Sequence, residues 1–300
     1  MEWQQIIGFY HVARLGSFTR AAEATFRTQS ALTHQVKALE EELDCLLFER
    51  IGKRKILLTA AGKRLFTFAE SLMEKHDNLV EDLNEIREVK QGHLKIAAPF
   101  TTLYHLLPIP LKRYKKRFPW VELTILDRRQ QNVLQLVRDG DVDFGIVLES
   151  LAPKELKSVR WEETHTVLMA EKGHPLTKEK QVSMAQIARY PLILPPSGAE
   201  SHGRRRLDDL FSKLGLEYRV IMETSNVELS SVYCEMGLGV AFATIVKALP
   251  ATAKRNIAFI SLAQYFKPEH IAIVMRRDKI LPSYKQAFLD LLLYFSQSAA

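Results

Sequence analysis

Cysteine is almost missing from this sequence, and long apolar runs are missing altogether. Cys45 and Cys234 are the two cysteines in 300 residues. They are too far apart for CxxC spacing, which excludes a zinc knuckle or dithiol motif and fits a reducing compartment without disulfides. No window approaches the ~18 uninterrupted apolar residues of a membrane-spanning helix. The start, Met1-Glu2-Trp3-Gln4-Gln5, lacks the basic and apolar regions of an export signal. The expectation is therefore a cytoplasmic protein with no membrane partner. Low-complexity tracts are also missing: 13 Gly, 12 Pro, 26% charged and 47% hydrophobic residues describe a chain that folds throughout, long enough for more than one core. His165, His174, His202 and His270 stand without ligand spacing, so neither a metal site nor a cofactor is expected. No paired catalytic carboxylates and no nucleophile with its base can be read.

The net charge of +7 invites a nucleic-acid partner, but its distribution does not decide the matter. Residues 1–92 hold 13 Lys/Arg against 14 Asp/Glu, and residues 93–300 hold 29 against 21. Local clustering matters more than the total, because phosphates are neutralised by whichever face carries the cations.

Ile6, Phe9, Tyr10, Val12 and Ala13 recur at helical spacing until Gly16-Ser17 interrupts the chain. Ser17 is a plausible cap for a second, short helix from Thr19 to about Thr25, with Ala21, Ala22 and Phe26 as its apolar stripe. A third helix begins near Thr28 and points Leu32, Val36, Leu39 and Leu43 at the core. At ~100° per residue these four span roughly 60°, while Gln29, Ser30, Thr33, His34 and Lys37 sweep a separate arc of roughly 140°. A short-chained, polar, mildly basic face of this kind suits a major groove, where Gln pairs with adenine and Ser, Thr and His reach base edges or phosphates. Simple solvation of the helix is the alternative. Two short helices joined by a tight turn form a helix-turn-helix pattern, and Thr19 at the start of the second joins the DNA-facing candidates. Phe48 to Thr59 then reads as two short strands around a glycine-containing turn. Arg50, Lys53, Arg54 and Lys55 place four cations in residues 50–55, a wing suited to the duplex backbone or minor groove.

The run Gly16-Ser-Phe-Thr-Arg-Ala-Ala-Glu, the run Thr28-Gln-Ser-Ala-Leu-Thr-His-Gln-Val-Lys-Ala-Leu-Glu40, Leu47-Phe-Glu-Arg50 and Leu58-Thr-Ala-Ala-Gly62 closely resemble the N-terminal signature of LysR-type transcriptional regulators, nearly continuously over residues 5–65. Two departures are visible. His34 stands where the family often has Arg, which touches base preference at that position. Asp44 stands where it often has Gly, and Asp tolerates a left-handed cap.

From Ala60 to about Val89 one long helix is expected. Leu65, Leu72, Leu79 and Ile86 repeat every seven residues, and Ala69, His76 and Leu83 fall four after the first three, which makes a heptad seam. A partner helix or packing on the helix's own domain would each use such a seam. The resemblance implies a linker helix that dimerises, and often further pairing to tetramers.

After Gln91-Gly92, predicted strands at 93–98, 121–127, 144–148, 167–170, 192–194, 220–222, 240–243 and 271–275 alternate with helices, including one at Leu103–Phe118. This is the rhythm of an open α/β sheet. Tyr114-Lys-Lys-Arg-Phe-Pro119, Gly140-Asp-Val-Asp-Phe-Gly-Ile146 and Gly237-Leu-Gly-Val-Ala-Phe242 resemble landmarks of the same family's effector domain. The fold expected is thus α+β and multidomain: a winged helix-turn-helix at 1–59, a linker helix at 60–90 and an α/β effector domain at 91–300. The resemblance implies that the last has two subdomains, 93–163 with 266–300 and 164–265, similar to periplasmic binding proteins.

Ligands of open α/β sheets lie beyond the carboxyl ends of strands, near helix N-termini. Pro99-Phe100-Thr101-Thr102, Pro195-Pro196-Ser197-Gly198 and Ser225-Asn226 have that placement. Thr101, Thr102 and Ser197, with Gly198, Asn226 and Thr244, are the candidate contacts for a small anionic metabolite. Ordinary helix capping would explain each hydroxyl singly, and their meeting in one cleft is what the resemblance implies. Among Arg204, Arg205 and Arg206, solvation is the simplest reading, although one of them could lean into the cleft. The basic cluster at 112–117 reads as a solvated helix face. Cys234 reads as a buried small hydrophobe, with a redox role as the alternative.

The whole implies a DNA-binding regulator, not an enzyme. Its expected partners are an interrupted palindrome of double-stranded DNA, its own copies as homodimer or homotetramer, a small anionic effector and RNA polymerase. A solute-binding protein or small-acid lyase on the same scaffold is the rival, with the first ninety residues as an appendage.

Overall fold

The computed structural model describes residues 1–51, 55–86, 92–198, 202–246 and 255–298, and it divides into two compact units, Met1–Val89 and Lys90–Ala300.

The first unit opens with α1 (Trp3–Leu15), which buries Ile6, Phe9, Tyr10 and Val12. Gly16 ends it at φ 61, its amide donating to the Val12 carbonyl; this left-handed cap is where glycine costs least. The Ser17 side chain accepts from the Arg20 amide to start α2 (Phe18–Ala24), and Thr28 accepts from the Ala31 amide to start α3 (Gln29–Glu42). Leu32, Val36 and Leu39 are buried as expected. Leu43 is not a core residue. It is the C-cap of α3 and is exposed, because Asp44 at φ 49 turns the chain away after it. Phe26 is also displaced from its expected place in the stripe of α2. That helix stops at Ala24, and Phe26 lies 98% exposed at φ 54. Strands β1 (Phe48–Ile51) and β2 (Lys55–Leu58) pair antiparallel, Phe48 opposite Leu58.

Helix α4 (Ala60–Ile86) uses its heptad seam in two ways. Ala69 is fully buried, and Leu65 and Leu72 pack against the helix-turn-helix core. The His76 ring lies 5.1 Å from that of Trp3. Beyond them Leu79, Val80 and Leu83 are exposed. The first half of the seam therefore serves its own unit, and Leu79 and Leu83 of the second half are left uncovered by it.

In the second unit nine strands, among the described residues, form one mixed sheet ordered β4 (Val121–Asp127), β3 (Gly92–Ala98), β5 (Phe144–Leu148), β11 (Glu269–Arg276), β6 (Leu156–Glu171), β9 (Val240–Val246), β7 (Leu192–Leu194), β8 (Val220–Glu223), with β10 (Ile257–Ser261) pairing β6. The sixteen residues of β6 are shared: 156–164 pair with β11, 164–169 with β9 and 167–171 with β10. One core gathers Leu94, Ile96, Phe144, Ile146, Ile273 and Phe288 around the β3 side, and another gathers Leu168, Leu192, Leu207, Phe211 and Val240 around the β7 side.

The helix expected at Leu103–Phe118 is two helices, α5 (Phe100–His105) and α6 (Pro108–Arg117). Pro108 has no amide to continue the first and is well suited to open the second. The remaining helices are α7 (Gln130–Arg138), α8 (Met184–Ile187), α9 (His202–Lys213), α10 (Val227–Glu235) and α11 (Ser283–Ser298). Asp143, from the Gly140–Ile146 landmark, is buried beside Lys279 at 2.8 Å and Lys285 at 3.1 Å. It also accepts from the Lys95 amide at 2.8 Å. Burial alone would raise its pKa, but the two ammonium groups and these hydrogen bonds outweigh that and hold it below the usual carboxylate range.

Among the described residues no helix is long and apolar enough to cross a membrane, and no group of three or more His, Cys, Asp or Glu has metal-holding geometry.

Candidate functional site

Two surfaces gather the candidate side chains, one in each unit. On α3 the inward side chains pack and the outward ones stay available: Gln29, Ser30, Thr33, His34 and Lys37 are all exposed, as is Thr19 on α2. The Thr19 hydroxyl lies 3.4 Å from Gln29 Oε1, so the two helices contribute to one polar edge. Thr33 returns its hydroxyl to the Gln29 carbonyl at 2.8 Å, and Lys37 lies 3.5 Å from Glu41. Arg27 ties the turn down, donating to Gln35 of α3 at 2.9 Å and to Gln4 of α1. Arg50 lies on β1, and Lys53 and Arg54 fall outside the described residues.

In the second unit a cavity of about 710 Å³ opens at the carboxyl ends of β3 and β4. Thr101, Thr102, Asn226 and Thr244 line it. Ser197 and Gly198 do not: both are exposed, and the Ser197 amide donates to Glu223 at 3.1 Å. The Asn226 side-chain Oδ1 caps α10, accepting from the Leu229 amide at 2.8 Å, which is the ordinary capping role. Thr101 is also engaged, its hydroxyl donating to Glu228 Oε2 at 3.0 Å. The other oxygen of Glu228 lies 2.7 Å from His105 Nε2, with the His105 side chain 1% exposed. This carboxylate bridges α5 and α10 at the edge of the cavity.

Sequence reasoning missed Arg128 and Arg129 and left open which of Arg204, Arg205 and Arg206 leans into the cleft. Arg128 and Arg129, just past the carboxyl end of β4, and Arg206 of α9 all line the cavity. The strand-end rule that picked Thr101 applies equally to Arg128 and Arg129. Of the three consecutive arginines, Arg206 faces the cavity, paired with Glu269 and over the Phe266 ring at 5.6 Å. Arg204 is held elsewhere, by Asp208 at 2.8 Å and Glu223 at 3.1 Å. His105 follows Thr101 by four residues, which puts both on one helical face. Apolar walls come from Phe100, Leu106, Ile146, Phe242 and Phe266.

Each surface lies in a region that matches a known family. The profile described as "Bacterial regulatory helix-turn-helix protein, lysR family" matches residues 3–63, and "LysR substrate binding domain" matches 87–296. The chain belongs to the LysR family. It is a DNA-binding transcriptional regulator with an effector-binding domain, not an enzyme. The "HTH-type transcriptional regulator cbl" of Escherichia coli (strain K12) is 27% identical over 293 residues, 97% of this chain and 92% of that one. The crystal structure of the cofactor-binding domain of the Cbl transcriptional regulator is 25% identical, with a TM-score of 0.59 over 68% of this chain and 89% of that one. Full-length CbnR in complex with its target DNA shares the fold, with a TM-score of 0.60 and 20% identity over all of both chains.

Cys234, in this LysR-type regulator, is fully buried in α10, and burial pushes its thiol up to about 12 against a weaker opposing hydrogen bond from the backbone at Ala241. Cys45 is partly exposed. At pH 8 a thiol reagent should therefore titrate Cys45 in the native protein and Cys234 only after denaturant is added. Rapid native modification of Cys234 would show that it is accessible after all.

Proposed function

We propose that this regulator responds to a small organic anion held in the cavity of its second unit, and that it binds an interrupted palindrome as a homodimer or homotetramer, in the cytoplasm, with RNA polymerase as its downstream partner. We further take its working divisions to be a DNA-binding domain at 1–59, a linker helix at 60–90 and an effector domain at 91–300, whose subdomains are 93–163 with 266–300 and 164–265.

The observation that carries the effector reading is the convergence of Arg128, Arg129 and Arg206 with the hydroxyls of Thr102 and Thr244 around one cavity. Guanidinium groups beside hydroxyls recognise carboxylates and other oxyanions. The apolar walls and a volume of about 710 Å³ favour a ligand with a carbon skeleton over a bare inorganic ion. Glu228 already occupies the Thr101 hydroxyl, so the anion is received by the arginines and Thr102, and Thr101 becomes available when that bridge opens. The uncovered apolar residues of α4, Leu79, Val80 and Leu83, supply the seam between copies. The exposed edge of α3 supplies the base contacts. Arg50 of the first wing strand, and Lys53 and Arg54, which lie outside the described residues, are the proposed contacts to the DNA backbone.

A panel of small carboxylates, screened by thermal shift of the full-length protein, tests the effector reading. Arg206→Ala should weaken the best hit by about 10- to 100-fold, the size of a lost charged hydrogen bond, while DNA binding without effector is unchanged. Ser197→Ala should respond as wild type does. Equal responses from wild type and Arg206→Ala, or a panel in which only neutral or cationic compounds stabilise the protein, would reject the anion site.

A further inference from the structure

Helix α2 ends in a Schellman motif. The Phe26 amide donates to the Glu23 carbonyl at 3.3 Å and the Arg27 amide to Ala22 at 2.9 Å, with Thr25 as the C-cap between helix and turn. The residue after the cap must be left-handed, which is why glycine or asparagine usually stands there. Helix α3 meets the same demand with Asp44, whose short polar side chain tolerates it. Helix α2 meets it with phenylalanine, a bulky residue for which a positive φ is a genuine outlier. The ring gains nothing inside the chain in return, since it is 98% exposed. The turn is nevertheless held in place, because Arg27 bridges Gln35 and Gln4.

We infer that Phe26 is a DNA-contacting residue, packing its ring on an apolar part of the duplex beside the groove that α3 reads. This rests on the DNA-binding reading of α3 and extends it to a residue of the turn. Three peptide steps of ~3.8 Å keep the Cα atoms of Phe26 and Gln29 within about 11 Å. A duplex reached by Gln29, Ser30 and Thr19 therefore passes close to the Cα of Phe26, whose ring, 98% exposed, is free to meet it. The apolar surfaces a duplex offers there are the thymine C5-methyl in the major groove and the deoxyribose of the backbone. Phenylalanine suits both, and apolar contact with the thymine methyl is an established mode of base reading. In this arrangement the strained backbone at Phe26 is offset on binding, when the ring leaves water.

The test uses full-length protein and the duplex that wild type enriches most from a random-sequence pool. Phe26→Asn relieves the left-handed strain and removes the ring. Its thermal midpoint should equal or exceed that of wild type, while affinity for the enriched duplex falls roughly tenfold, the size of one lost base contact. Phe26→Leu should fall between the two. Replacing single thymines by uracil in the duplex separates the sources. One position that weakens wild type and leaves Phe26→Asn unmoved identifies a thymine methyl, and no such position, with the tenfold loss intact, identifies the sugar. Unchanged affinity in Phe26→Asn overturns the inference. So does a lowered thermal midpoint, which would mark a structural ring, or a changed mass in light scattering, which would mark contact with a second copy. Wild-type protein that enriches no duplex would overturn the DNA-binding reading together with this one, whereas equal binding by wild type and Phe26→Asn overturns this one alone.

Discussion

Asp143→Ala should lose about 3–5 kcal/mol of stability in the second unit, the usual consequence of removing one partner from a buried ion pair. The cost arises because Lys279 and Lys285, whose side chains are each 7% exposed, keep their charges and lose this carboxylate, while the Lys95 amide loses its acceptor. Asp143→Asn keeps an oxygen for Lys95 and removes the charge, so it should recover only the smaller, hydrogen-bonded part. The same pair predicts a pH dependence. Asp143 has a folded pKa below its ordinary 3.8. Its contribution is therefore fully present above that ordinary value and is lost as pH falls through the depressed folded one. Urea unfolding followed by Trp120 and Trp161 fluorescence should show wild type weakening in that acid window and Asp143→Ala much less dependent on pH there. A loss under about 1 kcal/mol, the ordinary range for a surface pair, would mean that the cluster is solvated in solution.

Gly62→Ala should disable the first unit while the second stays folded. A Cβ on Gly62 would sit 2.0 Å from the Leu47 carbonyl oxygen and 3.0 Å from Leu58 Cδ2. The obstacle is backbone and cannot rotate aside. Gly62 lies in the first turn of α4, where its amide donates to the Thr59 hydroxyl at 2.9 Å, and that hydroxyl donates to the Leu46 carbonyl at 2.7 Å. Moving α4 away to admit the methyl breaks this cap and opens the core around Leu47. Overpacking typically costs 1–3 kcal/mol, and a clash with main chain belongs at or above the top of that range, about 3 kcal/mol or more. The expected result is loss of DNA binding at temperatures where effector binding persists. Gly16→Ala is the control: its Cβ meets nothing within 4 Å, so only its left-handed φ of 61 is penalised, at about 1–2 kcal/mol. Equal DNA binding by Gly62→Ala and wild type would show that α4 can start elsewhere.

Much of the local structure was legible because it rests on interactions between near neighbours in the chain. Ser17 and Thr28 were read as caps and act as caps, and the strands at 121–127, 144–148 and 192–194 have the bounds that apolar runs suggested. Where long-range packing overrides local pattern, the reading failed. The first half of β6 buries Leu156, Trp161 and Thr164 at irregular spacing between exposed polar residues, and it is defined by pairing with the distant strand β11. Strand β10 was missed for the same reason, since pairing with β6 defines it. Phe26 was placed in a core because it is apolar. Its exposure follows from the cap that stops α2 at Ala24, two residues short of what the stripe required.

The amino-acid order by itself determined the helix-turn-helix, its polar outward face, the long heptad helix and the α/β rhythm, because periodicity and capping act over a few residues and survive without a partner. Only the tertiary structure decided which charges meet: that Arg128, Arg129 and Arg206 share one cavity, that Glu228 takes the Thr101 hydroxyl, and that Ser197 turns outward. Such convergence joins residues far apart in the chain, and it depends on how strands order themselves in a sheet, which is settled by burial of the whole core and not by any short stretch of chain.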